Sequence, residues 1–68
     1  MDEASGDTPR EVLFEFTVIG PSVRVAAIDA LSGIEITVVG PASAARADLE
    51  RLALAKLKAR IDREGMRP

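Results

Sequence analysis

The 68-residue sequence contains no cysteine and no histidine, and these two absences exclude several kinds of site. A chain without cysteine forms no disulfide and no thiolate metal site. Without histidine, the remaining metal ligands are carboxylate and carbonyl oxygens, which suit Mg²⁺ or Ca²⁺ rather than a structural zinc ion. The usual nucleophile activated by a histidine base is excluded as well. We therefore expect no metal, no cofactor and no enzymatic activity.

Aromatic residues and long apolar runs are also scarce. Phe14 and Phe16 are the two aromatic residues, so the core must be built mainly from aliphatic side chains. No apolar run approaches the roughly 20 residues of a membrane span, and the acidic start of the chain is unlike a secretory signal. With 9 basic and 11 acidic residues, the charge balance argues against broad attraction to nucleic acid or to an anionic membrane. We expect a cytoplasmic protein without a membrane segment.

The length allows one small domain. A chain this short buries only about 60% of its unfolded surface, and such domains often need a disulfide, a metal or a partner subunit. Since cysteine and histidine are absent, self-association is the reinforcement that remains. We predict a disordered acidic tail over residues 1–10, a single domain over residues 11–63 and a frayed C-terminus over residues 64–68.

Three stretches in the first two thirds of the chain alternate apolar and polar side chains, as strands with one buried face do. The predicted strands are Glu11–Ile19, Ser22–Asp29 and Ile34–Val39. Their short connections predict an antiparallel meander with the strands in the order 1-2-3.

The two turns determine the register of this sheet. Gly20-Pro21 fits a type II′ hairpin turn, because glycine accepts the positive φ of the first central position. The second turn, Ala30–Gly33, follows an aspartate and ends on glycine, both common turn residues. A one-residue slip would expose the apolar face of the first strand, so the register is well specified. The predicted pairs are Val18 with Val23, Phe16 with Val25, Phe14 with Ala27, and Thr17 with Arg24.

The stretch from Ser43 to Ile61 has leucines at helical spacing, and it predicts one C-terminal helix packed on one face of the sheet. The predicted fold is therefore a two-layer α+β domain, with Ser43 as the helix N-cap. The predicted stripe facing the sheet is Leu49, Leu52, Ala53 and Leu57. The predicted core of the sheet is Val12, Phe14, Phe16, Val25, Ile34, Ile36 and Val38.

Some apolar positions have no covering element in this fold, and exposed apolar surface often marks an interaction site. The predicted interface residues are Leu13, Ile19, Ile28 and Val39 on the second sheet face, and Leu54 and Ile61 on the helix. We predict a non-enzymatic module that binds other protein chains and self-associates, as a homodimer.

Two further patterns concern charged side chains. On the second sheet face Arg24 lies between Glu15 and Glu35, which predicts a solvated ladder of charges rather than an acid/base pair. On the helix, a cluster of cations is the basis for an alternative function, weak binding of nucleic acid or another anion. Its predicted residues are Arg46, Arg51, Lys58 and Arg60. Acidic residues interleave with these cations, and stacking aromatics are missing from the polar surface, so nucleic acid is the less favoured partner.

The segments EVLFEFTVIG, VRVAAIDALSGIEITVVGPASA and LERLALAKLKARI, within Glu11 to Ile61, resemble a family of short uncharacterised proteins from alphaproteobacteria. The family is classed as a domain of unknown function. Its pattern is an E-V-x-F-E-F opening, an A-I-D turn, a V-G-P-x-S-A start to the helix and a closing K-L. These motifs are fairly specific together and weak singly. The resemblance implies no established activity and no site residues.

Overall fold

The computed structural model describes residues 11–64 of the chain. These residues form three strands and one helix, and the helix packs on one face of an antiparallel sheet with the strand order β1-β2-β3. The elements are β1 (Val12–Ile19), β2 (Ser22–Asp29), β3 (Glu35–Pro41) and α1 (Arg46–Arg63). The predicted two-layer α+β fold is confirmed. The tail predicted over residues 1–10, and residues 65–68 of the predicted C-terminus, lie outside the described residues.

The register of the sheet is the predicted one. Phe16 lies opposite Val25, and Thr17 lies opposite Arg24. The two turn glycines have the positive φ angles that their positions require, +57° at Gly20 and +81° at Gly33. The alternation of side chains and the chemistry of the turns agree on one pairing, which is why the sequence specifies it so well.

The second turn is held by a fully buried aspartate at the end of β2. One carboxylate oxygen of Asp29 accepts hydrogen bonds from the backbone N–H of Ser32 at 2.9 Å and from its hydroxyl at 2.6 Å. The Ser32 hydroxyl oxygen in turn accepts a bond from the N–H of Ile34 at 3.2 Å. The sequence predicted a turn here, but the complete burial of Asp29 was not anticipated.

The core lies between α1 and the inner face of the sheet, and it contains all seven predicted sheet residues as buried or partly buried members. On the helix the prediction is partly wrong. Leu52 was assigned to the stripe facing the sheet and is 46% exposed, whereas Ile61 was expected to remain uncovered and is only 7% exposed. The buried residues of the helix are Leu49, Ala53, Leu57 and Ile61.

The spacing of these buried residues explains the error. They follow one another every four residues, and at 100° per residue each step advances about 40° around the helix. The helix therefore packs along one ridge of residues four apart. This ridge moves toward Leu54 and away from Leu52 as it proceeds, so Ile61 is carried into the core.

The helix also begins later than predicted. Its N-cap is Ala45, which forms no side-chain capping bond, rather than Ser43. The strand β3 continues through Pro41, and the Ala44 N–H donates to the Pro41 carbonyl at 2.9 Å. Ser43 is therefore inside a turn that connects β3 to the helix.

The helix does not lie centrally over the sheet. It packs on β2 and β3, and its backbone stays farther from β1. As a result, Val12, Phe14 and Phe16 on the inner face of β1 are not fully buried. Val18, on the same face, is 61% exposed.

Candidate interaction surface

The outer edge of β1 is open in the described part of the chain, because β1 is the first strand of the sheet order and pairs only with β2. The two-residue turn makes Ile19 and Ser22 a hydrogen-bonded pair. At the other end of the strand, the Ala30 N–H donates to the Glu11 carbonyl at 3.0 Å, so Glu11 and Ala30 are a hydrogen-bonded pair as well. Hydrogen-bonded and non-hydrogen-bonded pairs alternate along an antiparallel ladder. The residues whose backbone groups face away from β2 are therefore Val12, Phe14, Phe16 and Val18.

Beside this edge, a groove of about 400 Å³ separates the inner face of β1 from the helix. Its lining is Val12, Phe14, Leu54, Leu57, Lys58 and Ile61. Leu54, one of the predicted interface residues, is half-buried in its wall. Ile61 belongs to the core beneath the groove. The groove exists because the helix is displaced toward β3.

The second sheet face carries the other predicted interface residues, but they do not form one apolar patch. Leu13, Ile19 and Val39 are exposed, and Ile28 is half-buried. Leu13 pairs with Ile28 at one end of the sheet, while Ile19 lies at the opposite end. A polar depression separates the two ends, lined by Glu15, Thr17, Arg24, Ala26, Glu35 and Thr37.

This depression is where the charge ladder was predicted. Glu15, Arg24 and Glu35 do line it together. The ion pairs found among residues 11–64 nevertheless lie on the helix, and Arg24 forms none with either glutamate. The three side chains share one solvent-exposed face, as in the predicted ladder, but no direct ion pair joins them.

The four cations proposed for anion binding have separate surroundings. Arg51 forms an ion pair with Asp48. The Arg60 Nε donates to the Glu64 carboxylate at 3.0 Å. The Arg46 guanidinium lies 4.7 Å from the centre of the Phe16 ring, a cation–π distance. Lys58 lines the apolar groove. The four residues do not converge on one anion.

No group of three or more potential metal-ligating side chains occurs among residues 11–64. Over the same residues, no helix is long and apolar enough to cross a membrane. Ser32 is engaged in the buried Asp29 turn, so it is placed to stabilise the fold rather than to react with a substrate. The features with surface chemistry are therefore the open edge of β1, the groove beside it and the second sheet face.

Comparison of the sequence with models of known protein families gives a match that spans the whole fold. The family model described as Domain of unknown function (DUF6898) matches residues 9–64, which include every strand and the helix. The chain belongs to this family. The DUF6898 match thus confirms the resemblance seen in the sequence, while an alphaproteobacterial origin remains a prediction. Neither the curated proteins nor the solved structures gave a match.

Proposed function

We propose that this DUF6898 domain is a non-enzymatic interaction module that self-associates as a homodimer. The observation that carries the proposal is the open edge of β1 together with its incompletely covered inner face. Unpaired N–H and C=O groups on an edge strand are a template for another chain, and proteins usually block them with charged side chains (above all lysine), with proline or with a bulge. Between Val12 and Ile19, β1 has no lysine, proline or bulge, and Glu15 is its single charged residue.

The small size of the domain supports the same proposal. Among residues 11–64 the fully buried apolar side chains are few, and six large apolar residues remain exposed: Leu13, Val18, Ile19, Leu31, Val39 and Leu52. A second copy would add burial that a chain of this length cannot obtain alone. Three of the six, Leu13, Val18 and Ile19, lie on β1.

Sedimentation equilibrium or light scattering over a dilution series tests the proposal. The chain has a mass of 7.2 kDa, so a dimer has about twice that mass. We expect the dimer to predominate at a protein concentration of roughly 100 µM. On dilution it should dissociate into monomers, as expected for a dissociation constant on the order of micromolar. A mass of one chain at the highest concentration would contradict self-association.

A different protein could also bind an open strand edge, because β-strand addition occurs both between identical chains and between different proteins. Binding of nucleic acid is less well supported, because two of its four cations are paired and a third lies over an aromatic ring. Binding to a generic nucleic-acid duplex that weakens steeply with added salt would favour this alternative.

The proposed location of the protein is the cytoplasm. Fractionation of cells that express the tagged chain would test this location.

A further inference from the structure

We infer that the second copy binds along the open edge of β1, where the two β1 strands pair antiparallel about a two-fold axis at Phe16. This inference rests on the proposed self-association and specifies its geometry. The product is one continuous sheet of six strands, with both helices on the same face. The inference depends on which registers the sequence of β1 allows.

The direction of the backbone groups limits these registers. Residues that face the open edge must meet residues that face the partner's edge, because only these form the hydrogen-bonded pairs. Such residues alternate along β1, so a two-fold axis must lie at a residue of the strand. The axis at Phe16 places Phe14 opposite Val18, Leu13 opposite Ile19 and Glu15 opposite Thr17.

The single charge within β1 distinguishes among the possible axes. An axis at Glu15 brings the two glutamates into a pair whose Cα atoms are about 4.5 Å apart, and like charges directly opposite each other are destabilising. An axis at Phe14 places Glu15 against Leu13, and an axis at Thr17 places it against Ile19. Of these four neighbouring registers, the axis at Phe16 alone gives Glu15 an uncharged polar partner. The apolar residues from Leu13 to Ile19 then meet apolar residues, and Val12 lies opposite Gly20 of the turn.

The same register accounts for exposed residues that are scattered in a single copy. Leu13 and Ile19 lie at opposite ends of β1, 47% and 54% exposed. In the dimer, Leu13 of one copy lies opposite Ile19 of the second copy, and the two form a cross-strand pair. On the helix side, Val18 of the second copy lies beside Phe14, which lines the apolar groove. Pairing therefore gives exposed residues on both faces of β1 apolar neighbours from the second copy.

The opposite edge of the sheet is less suited to such pairing. Its strand, β3, ends in Gly40-Pro41. Glycine weakens a strand, and proline supplies no N–H to a ladder. The helix also lies over this side of the sheet. β1, by contrast, has eight residues without glycine, proline or a bulge.

A pair of lysine substitutions tests the inference by mass measurement. Val18→Lys places a charge on the edge at the Phe14 contact, and Val39→Lys is its control on β3. The two valines are similarly exposed, 61% and 66%, so neither change disturbs the core of the monomer. Val39→Lys does place a second cation opposite Arg24, and this repulsion lowers the stability of the monomer without touching the β1 edge. We expect Val18→Lys to weaken the dimer by about tenfold or more, and Val39→Lys to leave it unchanged.

The outcomes separate the inference from the proposed function. A wild-type monomer would remove self-association and the edge geometry together. A wild-type dimer that survives Val18→Lys and dissociates with Val39→Lys would keep self-association and overturn the edge geometry. A dimer unaffected by either change would also overturn it. Circular dichroism verifies that each variant is folded.

Cysteine cross-linking provides a second test, and the chain has no cysteine of its own to interfere. In the proposed register Leu13 faces Ile19 of the second copy as a non-hydrogen-bonded pair, with Cα atoms about 4.5 Å apart, within the range of a disulfide. A mixture of Leu13→Cys and Ile19→Cys chains should therefore form the mixed dimer on mild oxidation. Each variant alone should cross-link much more slowly. Equal rates in the mixture and in the single variants would overturn the register.

Discussion

Replacing Gly40 with alanine tests how the end of β3 meets the helix. Gly40 does not have a positive φ, so its backbone conformation is open to any residue. A Cβ atom built at this position would lie 2.7 Å from the Leu49 Cδ2 atom. Leu49 is buried in the core, so it has little room to move. Gly40 is therefore needed for close packing of the helix against the strand.

The expected size of the effect follows from two opposing contributions. Alanine in place of a strand glycine normally stabilises the fold by about 0.5–1 kcal/mol, because it reduces the freedom of the unfolded chain. Forcing an extra carbon into a packed core costs about 1–3 kcal/mol. We expect Gly40→Ala to lower the free energy of unfolding by about 1–2 kcal/mol. That is a large part of a total on the order of 3–10 kcal/mol for this length.

A double-mutant cycle with Leu49→Val identifies the cause. Valine has no Cδ atoms, so it removes the atom that the new Cβ would meet. We expect the cost of the double variant to be about 1 kcal/mol smaller than the sum of the two single costs. Gly33→Ala is the matched control, since Gly33 has a φ of +81° and no neighbour within 4 Å. Its cost comes from the left-handed backbone alone and should add simply to that of Leu49→Val.

The assay is urea unfolding followed by far-ultraviolet circular dichroism, because the chain has no tryptophan or tyrosine for fluorescence. Protein concentration must be the same for every variant, since dimerisation adds to the apparent stability. If Gly40→Ala is as stable as the wild type, or if its cost adds simply to that of Leu49→Val, the proposed contact between Gly40 and Leu49 is refuted.

Further predictions concern the buried turn and the helix. Asp29→Ala should destabilise the fold by about 2–3 kcal/mol because it leaves buried donors unpaired, and Ser32→Ala should cost about 1 kcal/mol; equal stability of Asp29→Ala and wild type would contradict this account of the turn. Leu57→Ala should cost about 2–5 kcal/mol and Leu52→Ala less than about 1 kcal/mol, and similar costs would contradict the observed helix face. Ile61→Ala should resemble Leu57→Ala rather than Leu52→Ala, again by urea unfolding.

The sheet was predictable from the sequence because several local signals agree. Alternating apolar residues determine which face of β1 is buried, and the Gly20-Pro21 turn determines which residue of β2 each one meets. Both signals lie within a few residues of the structure that they specify. The observed pairing of Phe16 with Val25 follows from them directly.

The helix was harder to predict, because its position depends on packing rather than on local pattern. Leu52 and Ile61 are both apolar and both close to the predicted stripe. Which of them is buried depends on the angle at which the helix crosses the twisted sheet, and a single sequence does not contain that angle. The predicted start of the helix was wrong for a related reason. Serine is a common N-cap residue, but Ser43 lies in the turn that connects β3 to the helix.

The candidate surface was predicted in part. Leu13, Ile19 and Val39 are exposed as expected, but the groove beside β1 depends on the displacement of the helix toward β3. The sequence of β1 itself carries a signal, since it lacks the lysine and proline that commonly protect an exposed edge strand. Val18 lies on the same face of β1 as Phe14 and Phe16 but is exposed, and it is the residue that the proposed dimer uses most directly.

Amide hydrogen exchange of β1, measured by NMR at high and low protein concentration, tests the pairing of the two edges most directly. The amides of Leu13, Thr17 and Ile19 face β2 and should be protected at both concentrations. The amides of Phe14, Phe16 and Val18 face the open edge, so they should be protected in the dimer and exchange faster on dilution. Fast exchange of these three amides at every concentration would contradict the proposal that a second copy binds along β1.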